Sequence, residues 1–209
     1  MSQQTMPGEV LAETATIRPT FHHVNLKTLD LDRLIDWYGL VLGTKVTFRY
    51  AMGAWLTNDE ANHRIALLAL PGYVEDAYKQ THTGMHHMAF EYDRLEDLMA
   101  TYGRLKGHGI LPFFCFDHGM TLSLYYADPD GNALELQIDV FGDWAKSTAW
   151  MRDAVAFQEN PLGVFLDPEL IVAGLEAGLA MEELHERAYR GDYLPDPLPD
   201  ITVPPISSA

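Results

Sequence analysis

The chain has 209 residues, 47% of them hydrophobic and 21% charged, enough to build a substantial core in one or two compact domains. Its 30 acidic and 14 basic residues leave a formal net charge of −16, which repels phosphate backbones and anionic lipid, so neither nucleic acid nor membrane is an expected partner. The single cysteine, Cys115, excludes an internal disulfide framework and a multi-cysteine zinc site, so any metal must be held by nitrogen and oxygen donors.

No stretch approaches the apolar length needed to span a bilayer, and the opening MSQQTMPGEV has neither the basic start nor the apolar run of an export signal; a cytoplasmic location is expected. Residues 1–20, polar and holding Pro7 and Pro19, read as an N-terminal arm. From Phe21 the segment FHHVNLKT alternates as a strand. Asp30 or Asp32 then opens a helix whose Leu31, Leu34, Ile35 and Tyr38 recur at helical spacing, with Gly39 and Gly43 marking its exit. Lys45–Tyr50, Ala54–Thr57 and His63–Leu70 follow as strands, the last ended by Pro71 and Gly72.

The same order then recurs. HHMAFEY is strand-like, Asp93 and Glu96 suggest a capping box, and Leu95, Leu98, Met99, Tyr102 and Leu105 share one helical face. Gly107 and Gly109 close that helix, and Ile110–Phe114, Thr121–Tyr126 and Ala133–Val140 complete the unit, with the turn DPDGN between the last two. An offset of 64 carries His23 to His87, His22 to His86, Tyr38 to Tyr102, Gly39 to Gly103 and Gly43 to Gly107, which marks a duplication. The expected fold is α+β: two paired βαβββ modules, 21–71 and 85–140, forming a catalytic domain over 21–140 and enclosing a site between them.

Residues 141–209 form a different kind of extension. DWAKSTAWMRDAVAFQ reads as a helix carrying Trp144, Trp150 and Phe157, and Pro168 after Asp167 begins another helix that reaches about Ala188. The remainder is proline-rich and extended, and with its aromatics the tail is expected to wrap the core or a neighbouring subunit. Self-association is the expectation.

Eight of the nine histidines fall between His22 and His118. His23 and His87 occupy matching first strands, and Glu135 lies in the last strand of the second unit between Leu134 and Leu136, where a buried carboxylate needs a cation or a donor. If those faces line the cup between the units, two imidazoles and one carboxylate converge, the facial set used by non-haem iron(II) with adjacent positions left open. His22 and His86 should point away, because the side-chain period of a strand is two, and His82 and His108 belong to loops.

The repeat and these positions resemble the vicinal oxygen chelate superfamily, the glyoxalase, bleomycin-resistance and dioxygenase-like fold. The stretch from His118 to Glu135 is similar to the signature of its type I extradiol dioxygenases, of the catechol 2,3- and dihydroxybiphenyl-cleaving kind, in a small single-domain form. His118, Leu124, Tyr125, Asp128, Pro129, Gly131 and Glu135 stand at matching spacing. Phe116 departs from it, since the family usually has a smaller residue there.

The resemblance implies a metal held by His23, His87 and Glu135, with His63 near oxygen and substrate and His118 and Tyr125 donating to the substrate. It implies Fe(II), with Mn(II) accepted by the same donors, and an enzyme that inserts both atoms of O2 into an aromatic vicinal diol. A metal-dependent isomerase or lyase of the same superfamily and a metal-free small-molecule-binding module are the alternatives. Glyoxalase I-like relatives carry an additional carboxylate in the last strand of the first unit, and Ile65–Leu70 contains no acid. A metal-free module has no reason to keep both histidines and the glutamate. Asn25 on the first strand and an aromatic wall of Trp55, Phe113, Phe114 and Phe116 complete the expected site.

Overall fold

The computed structural model describes residues 18–199. The first unit comprises β1 (Val24–Lys27), α1 (Leu31–Leu42), β2 (Lys45–Tyr50), β3 (Gly53–Thr57) and β4 (Ile65–Leu68). The second repeats it with β5 (His87–Glu91), α2 (Leu95–Gly107), β6 (Phe114–Asp117), β7 (Thr121–Ala127) and β8 (Ala133–Asp139). The extension adds α3 (Trp144–Asp153), α4 (Val155–Glu159), β9 (Val164–Phe165), α5 (Pro168–Glu176) and α6 (Met181–Tyr189).

Each unit folds its strands into one mixed sheet, in the order β1-β4-β3-β2 and β5-β8-β7-β6-β9. The first strand runs parallel to the last in both, Val24 opposite Ile65 and His87 opposite Ala133, and the other pairs are antiparallel. The duplication read from the 64-residue offset is therefore a duplication of topology.

Local chemistry explains where elements begin and end. The Asp30 carboxylate accepts from the Arg33 amide and caps α1, and Gly43 ends that helix at φ 67°, a left-handed conformation that glycine adopts without a Cβ clash. Asp143 and Asp167 cap α3 and α5 in the same way, with Pro168 at the first turn of α5. The capping box expected at Asp93 is absent: α2 begins one residue later, with Arg94 at the cap position and no side-chain cap bond.

The strand expected over 110–114 forms later, as Phe114–Asp117, because Pro112 has no amide to donate and pairing with β7 starts only at the Phe113 amide, 2.8 Å from the Tyr125 carbonyl. The helix expected from Pro168 to Ala188 is two helices, broken where Gly178 turns at φ 80° and the Leu179 amide folds back on the Gly174 carbonyl. The segment 143–158 likewise divides at Ala154, whose backbone is extended.

One apolar core runs through both units, including Leu34, Tyr38, Leu56 and Ile65 from the first and Leu98, Leu124, Leu134 and Leu136 from the second. Leu166, Ile171, Leu184 and Ala188 of the extension are buried in the same core. Within one chain the units dock through helices and a turn. Tyr38 donates to Asp128 (2.8 Å), Arg104 on α2 donates to the Leu40 carbonyl at the end of α1 (2.6 Å), and Arg33 pairs with Asp130. Among the described residues no helix is long and apolar enough to cross a membrane.

Candidate active site

The second unit builds a continuous polar chain on one face of its sheet. Tyr125 and Glu135 are register partners on β7 and β8, and Ala89, two residues after His87, is opposite Glu135 on β5. This register brings His87 Nε2 to 3.0 Å from Glu135 Oε2 and the Tyr125 hydroxyl to 2.9 Å from Glu135 Oε1. His118 Nε2 lies 3.0 Å from the same hydroxyl, and its Nδ1 lies 2.6 Å from the Leu162 carbonyl oxygen.

Proton positions follow from the partners. A carbonyl oxygen can only accept, so Nδ1 of His118 carries a proton and, in the neutral ring, Nε2 is an acceptor. The Tyr125 proton then stands between two acceptors, an imidazole nitrogen and a carboxylate oxygen. Burial pushes the Tyr125 phenol well above its usual range, reinforced by the Glu135 charge, so it stays protonated. Burial pulls His118 down towards the neutral form, against the Leu162 carbonyl and the nearby acids. For Glu135 burial pushes the carboxyl up, but the donors around it, His87 foremost, outweigh that and hold it below the usual range. Glu135 is 5% exposed, and among the described residues its ion-pairing partner is His87, with no lysine or arginine beside it.

Aromatic rings frame this chain. Phe114 packs on Tyr125 with centroids 4.6 Å apart, and Phe116 stacks on His118 at 5.2 Å and on Phe165 at 4.3 Å. Leu162 and Phe165 come from the extension, whose strand β9 pairs with β6 through Phe116 and Phe165. Their contribution was missed from sequence, because a two-residue strand has no periodicity to read. The buried Asp117 beside His118 is also tied to the extension, its Oδ2 lying 2.8 Å from Nδ1 of His185.

The first unit gathers a second group. His23 and His63 have ring centroids 4.3 Å apart, and Trp55 stacks on His63 at 5.4 Å with its plane tilted by 20°. Burial lowers the pKa of His63 and the neighbouring His23 and His22 lower it further, which favours a neutral ring. Here the expectation for His22 fails. Its Nδ1 is 3.1 Å from Nδ1 of His23, and His22, His23 and His63 place a ligand atom each within 4.8 Å of one another. The physical reason is that the ladder starts at Val24, so His22 and His23 precede the strand and escape its alternation. His86 likewise sits 2.8 Å from His87, Nδ1 to Nδ1. His82 pairs with Asp76 at the surface, and His108 ends α2.

The two groups stay separate within one chain. Among the described residues, His22, His23 and His63 are the one group of three or more potential ligands within mutual reach, and it includes neither His87 nor Glu135. The ring neighbours of His23 are His22 and His63, whereas those of His87 are His86 and Tyr125.

Asp128 serves the scaffold. It is fully buried, its Oδ1 accepts from the amides of Asp130 and Asn132, and its Oδ2 accepts from the side chains of Asn132 and Tyr38. Gly131 turns at φ 74° within this loop. The turn thus fixes where β8, and with it Glu135, begins.

Comparison with known proteins places this architecture among relatives. A family model described as the Glyoxalase/Bleomycin resistance protein/Dioxygenase superfamily matches residues 20–136. The chain is 40% identical over 181 residues to biphenyl-2,3-diol 1,2-dioxygenase 2 of Rhodococcus globerulus, an alignment covering 87% of this chain and 94% of that protein. It is 36% identical to biphenyl-2,3-diol 1,2-dioxygenase 3 of the same organism, over 83% of this chain and 91% of that one. A crystal structure of a glyoxylase/bleomycin resistance protein/dioxygenase domain from Frankia sp. EAN1pec shares the fold at a TM-score of 0.50 and 24% identity, covering 59% of this chain and 93% of that one.

Proposed function

Because the chain belongs to the Glyoxalase/Bleomycin resistance protein/Dioxygenase superfamily, we propose that it is an extradiol ring-cleaving dioxygenase acting on an aromatic vicinal diol. The observation that carries the reading is the buried Glu135 carboxylate, which has an imidazole of His87 at 3.0 Å and no lysine or arginine partner among the described residues. A buried carboxylate is costly without a counter-charge, and an imidazole beside it completes a pair of donors suited to a divalent ion. The likeness to two biphenyl-2,3-diol dioxygenases supports a diol as substrate.

His23, His87 and Glu135 would hold the metal once the two groups are brought together, Fe(II) by preference and Mn(II) as an ion that accepts the same oxygen and nitrogen donors. The chemistry such an ion supplies when bound is to acidify a diol hydroxyl and to give the diol and dioxygen a common meeting place. His63, neutral and stacked on Trp55, takes the proton that the diol gives up. With substrate bound, the Tyr125 hydroxyl turns its one proton from the His118 and Glu135 acceptors to the diol oxygen that becomes anionic and holds it in place. Phe113, Phe114 and Phe116, with Trp55 from the first unit, give the ring an apolar wall. The strand β4 contributes no acid, which favours this three-donor arrangement over a four-ligand isomerase or lyase site.

One observation favours a different ligand set, the mutual proximity of His22, His23 and His63. It offers three imidazoles from one unit and leaves Glu135 without a cation. Anaerobic loading with Fe(II), followed by oxygen uptake and a new visible absorbance from 2,3-dihydroxybiphenyl or catechol, tests the activity. Stoichiometric iron with no diol cleaved across a broad panel would overturn the dioxygenase reading.

A further inference from the structure

His118 stands on a turn that the C-terminal extension holds. Asp117, the residue before it, is fully buried; its Oδ1 accepts from the Gly119 amide at 2.8 Å, and its Oδ2 lies 2.8 Å from Nδ1 of His185 on α6. A carboxylate accepts, so Nδ1 of His185 carries a proton and donates it. Among the described residues no lysine or arginine pairs with Asp117, which leaves His185 as the side chain that stabilises its charge. One oxygen of Asp117 therefore bends the chain around His118, and the other ties that bend to α6.

The helix that carries His185 is itself fixed. Leu184 and Ala188 on either side of it are fully buried in the core. The His185 ring packs on Tyr189 with centroids 5.9 Å apart, and Tyr189 packs at 5.9 Å on Trp150 of α3. Trp150 in turn lies so close over Gly119 that a Cβ there would meet its ring at 2.1 Å. The turn is thus gripped from two sides, while the Leu162 carbonyl sets the tautomer of the His118 ring. Core packing alone would be served by two apolar side chains here. A buried carboxylate and imidazole bring a desolvation cost and little net stability, and what they add is a defined position. His185 also lies outside residues 20–136, which the family model matches, and the steps assigned to the site so far do not use it.

We propose that His185 is a positioning residue of the active site, which acts through Asp117 to hold the 117–119 turn so that Nε2 of His118 stays in line with the Tyr125 hydroxyl. The inference rests on the role given to His118 and Tyr125 in the proposed function and adds the residue that keeps them aligned. The contact it protects is sensitive: Nε2 and the hydroxyl are 3.0 Å apart, and a hydrogen bond weakens steeply when it is stretched or bent. What matters at position 185 is the N–H that reaches Asp117, and the size of the ring is secondary. The extension is then part of the machinery that the two sheet units carry.

The test compares two full-length variants. His185→Phe keeps a ring to pack on Tyr189 and removes the donor, whereas His185→Asn shortens the side chain but keeps an N–H where Nδ1 of the imidazole stood. After anaerobic loading with Fe(II), His185→Phe is expected to keep the wild-type iron content and KM for 2,3-dihydroxybiphenyl while kcat falls about 10- to 100-fold, and His185→Asn to recover most of that loss. A role in packing alone predicts the reverse order, His185→Phe near wild type and His185→Asn impaired, and that order would overturn the proposal. The second readout needs no iron. Long-range proton–nitrogen NMR spectra of protein labelled at the histidine nitrogens report which nitrogen of His118 holds the proton, its signals being assigned by their absence from His118→Phe. The Nδ1–H tautomer is expected in the wild type and in His185→Asn, with averaged ring nitrogens in His185→Phe; an unchanged tautomer in His185→Phe would also overturn the proposal. If the wild type cleaves no diol, the proposed function fails and the spectra alone decide this inference. Where His185→Phe does not fold by circular dichroism, the double variant Asp117→Asn/His185→Phe, which has no unpaired buried charge, takes its place with the same expected losses.

Discussion

His118 is held by a residue 44 positions away, its Nδ1 lying 2.6 Å from the carbonyl oxygen of Leu162 in the C-terminal extension. That contact fixes the tautomer and so decides that Nε2 faces Tyr125 as an acceptor. The extension can approach this closely because the next residue is Gly163, at φ 87°, where a Cβ would sit 2.0 Å from the Asp117 carbonyl oxygen. Gly163→Val should therefore lift Leu162 and β9 away from β6. The expected result is a fall in kcat of about 10- to 100-fold with iron content unchanged, as for loss of an orienting partner. Steady-state kinetics with metal analysis on the same sample checks it.

Tyr125→Phe removes the hydroxyl that joins His118 to Glu135 and leaves the ring packing on Phe114 in place. Iron retention should match the wild type, while kcat should drop about 10- to 1000-fold, the range for losing one placed donor. Equal loss of iron would show that the hydroxyl holds the ligand and does little for the substrate.

Tyr38→Phe tests the joint between the units. Tyr38 is fully buried and donates to Asp128, which is itself fully buried. Deleting the hydroxyl leaves a carboxylate oxygen short of one donor, at a cost of about 1–3 kcal/mol. For a chain of this size that lowers Tm by about 2–4 °C per kcal/mol. Differential scanning calorimetry reads the shift, and activity per folded molecule at low temperature should be unchanged.

His22→Ala against His23→Ala separates the two possible ligand sets. If the site takes His23 with His87 and Glu135, His22→Ala keeps iron within about twofold, whereas His23→Ala loses it by the large factor that follows removal of a direct ligand. Equal loss in both would move the metal to the three histidines of the first unit. Metal content after gel filtration decides between them.

Much of this was legible in the sequence for a physical reason. Duplication repeats spacing, so His23 and His87 could be matched before any coordinates, and the apolar neighbours Leu134 and Leu136 marked Glu135 as a carboxylate in need of a cation or a donor. Helix α1 was readable from its capping Asp30 and terminal Gly43, because both act locally. The elements that were misread depend on distant partners or on one-residue boundaries. Strand β6 waits for Phe113 to pair with Tyr125, β9 exists only because β6 offers an edge, and His22 joins His23 because the ladder begins at Val24, three residues later than the alternation from Phe21 implied. Sequence spacing also could not show that the two halves of the ligand set lie apart within a chain, since that depends on how the units dock.

The central claim is that Glu135 is a metal ligand, and its removal tests it most directly. Wild type and Glu135→Ala are loaded anaerobically with Fe(II), freed of excess metal by gel filtration and assayed for iron per chain. The account expects stoichiometric iron in the wild type and little in Glu135→Ala, with the variant still folded by circular dichroism. Equal iron in the two proteins would contradict it.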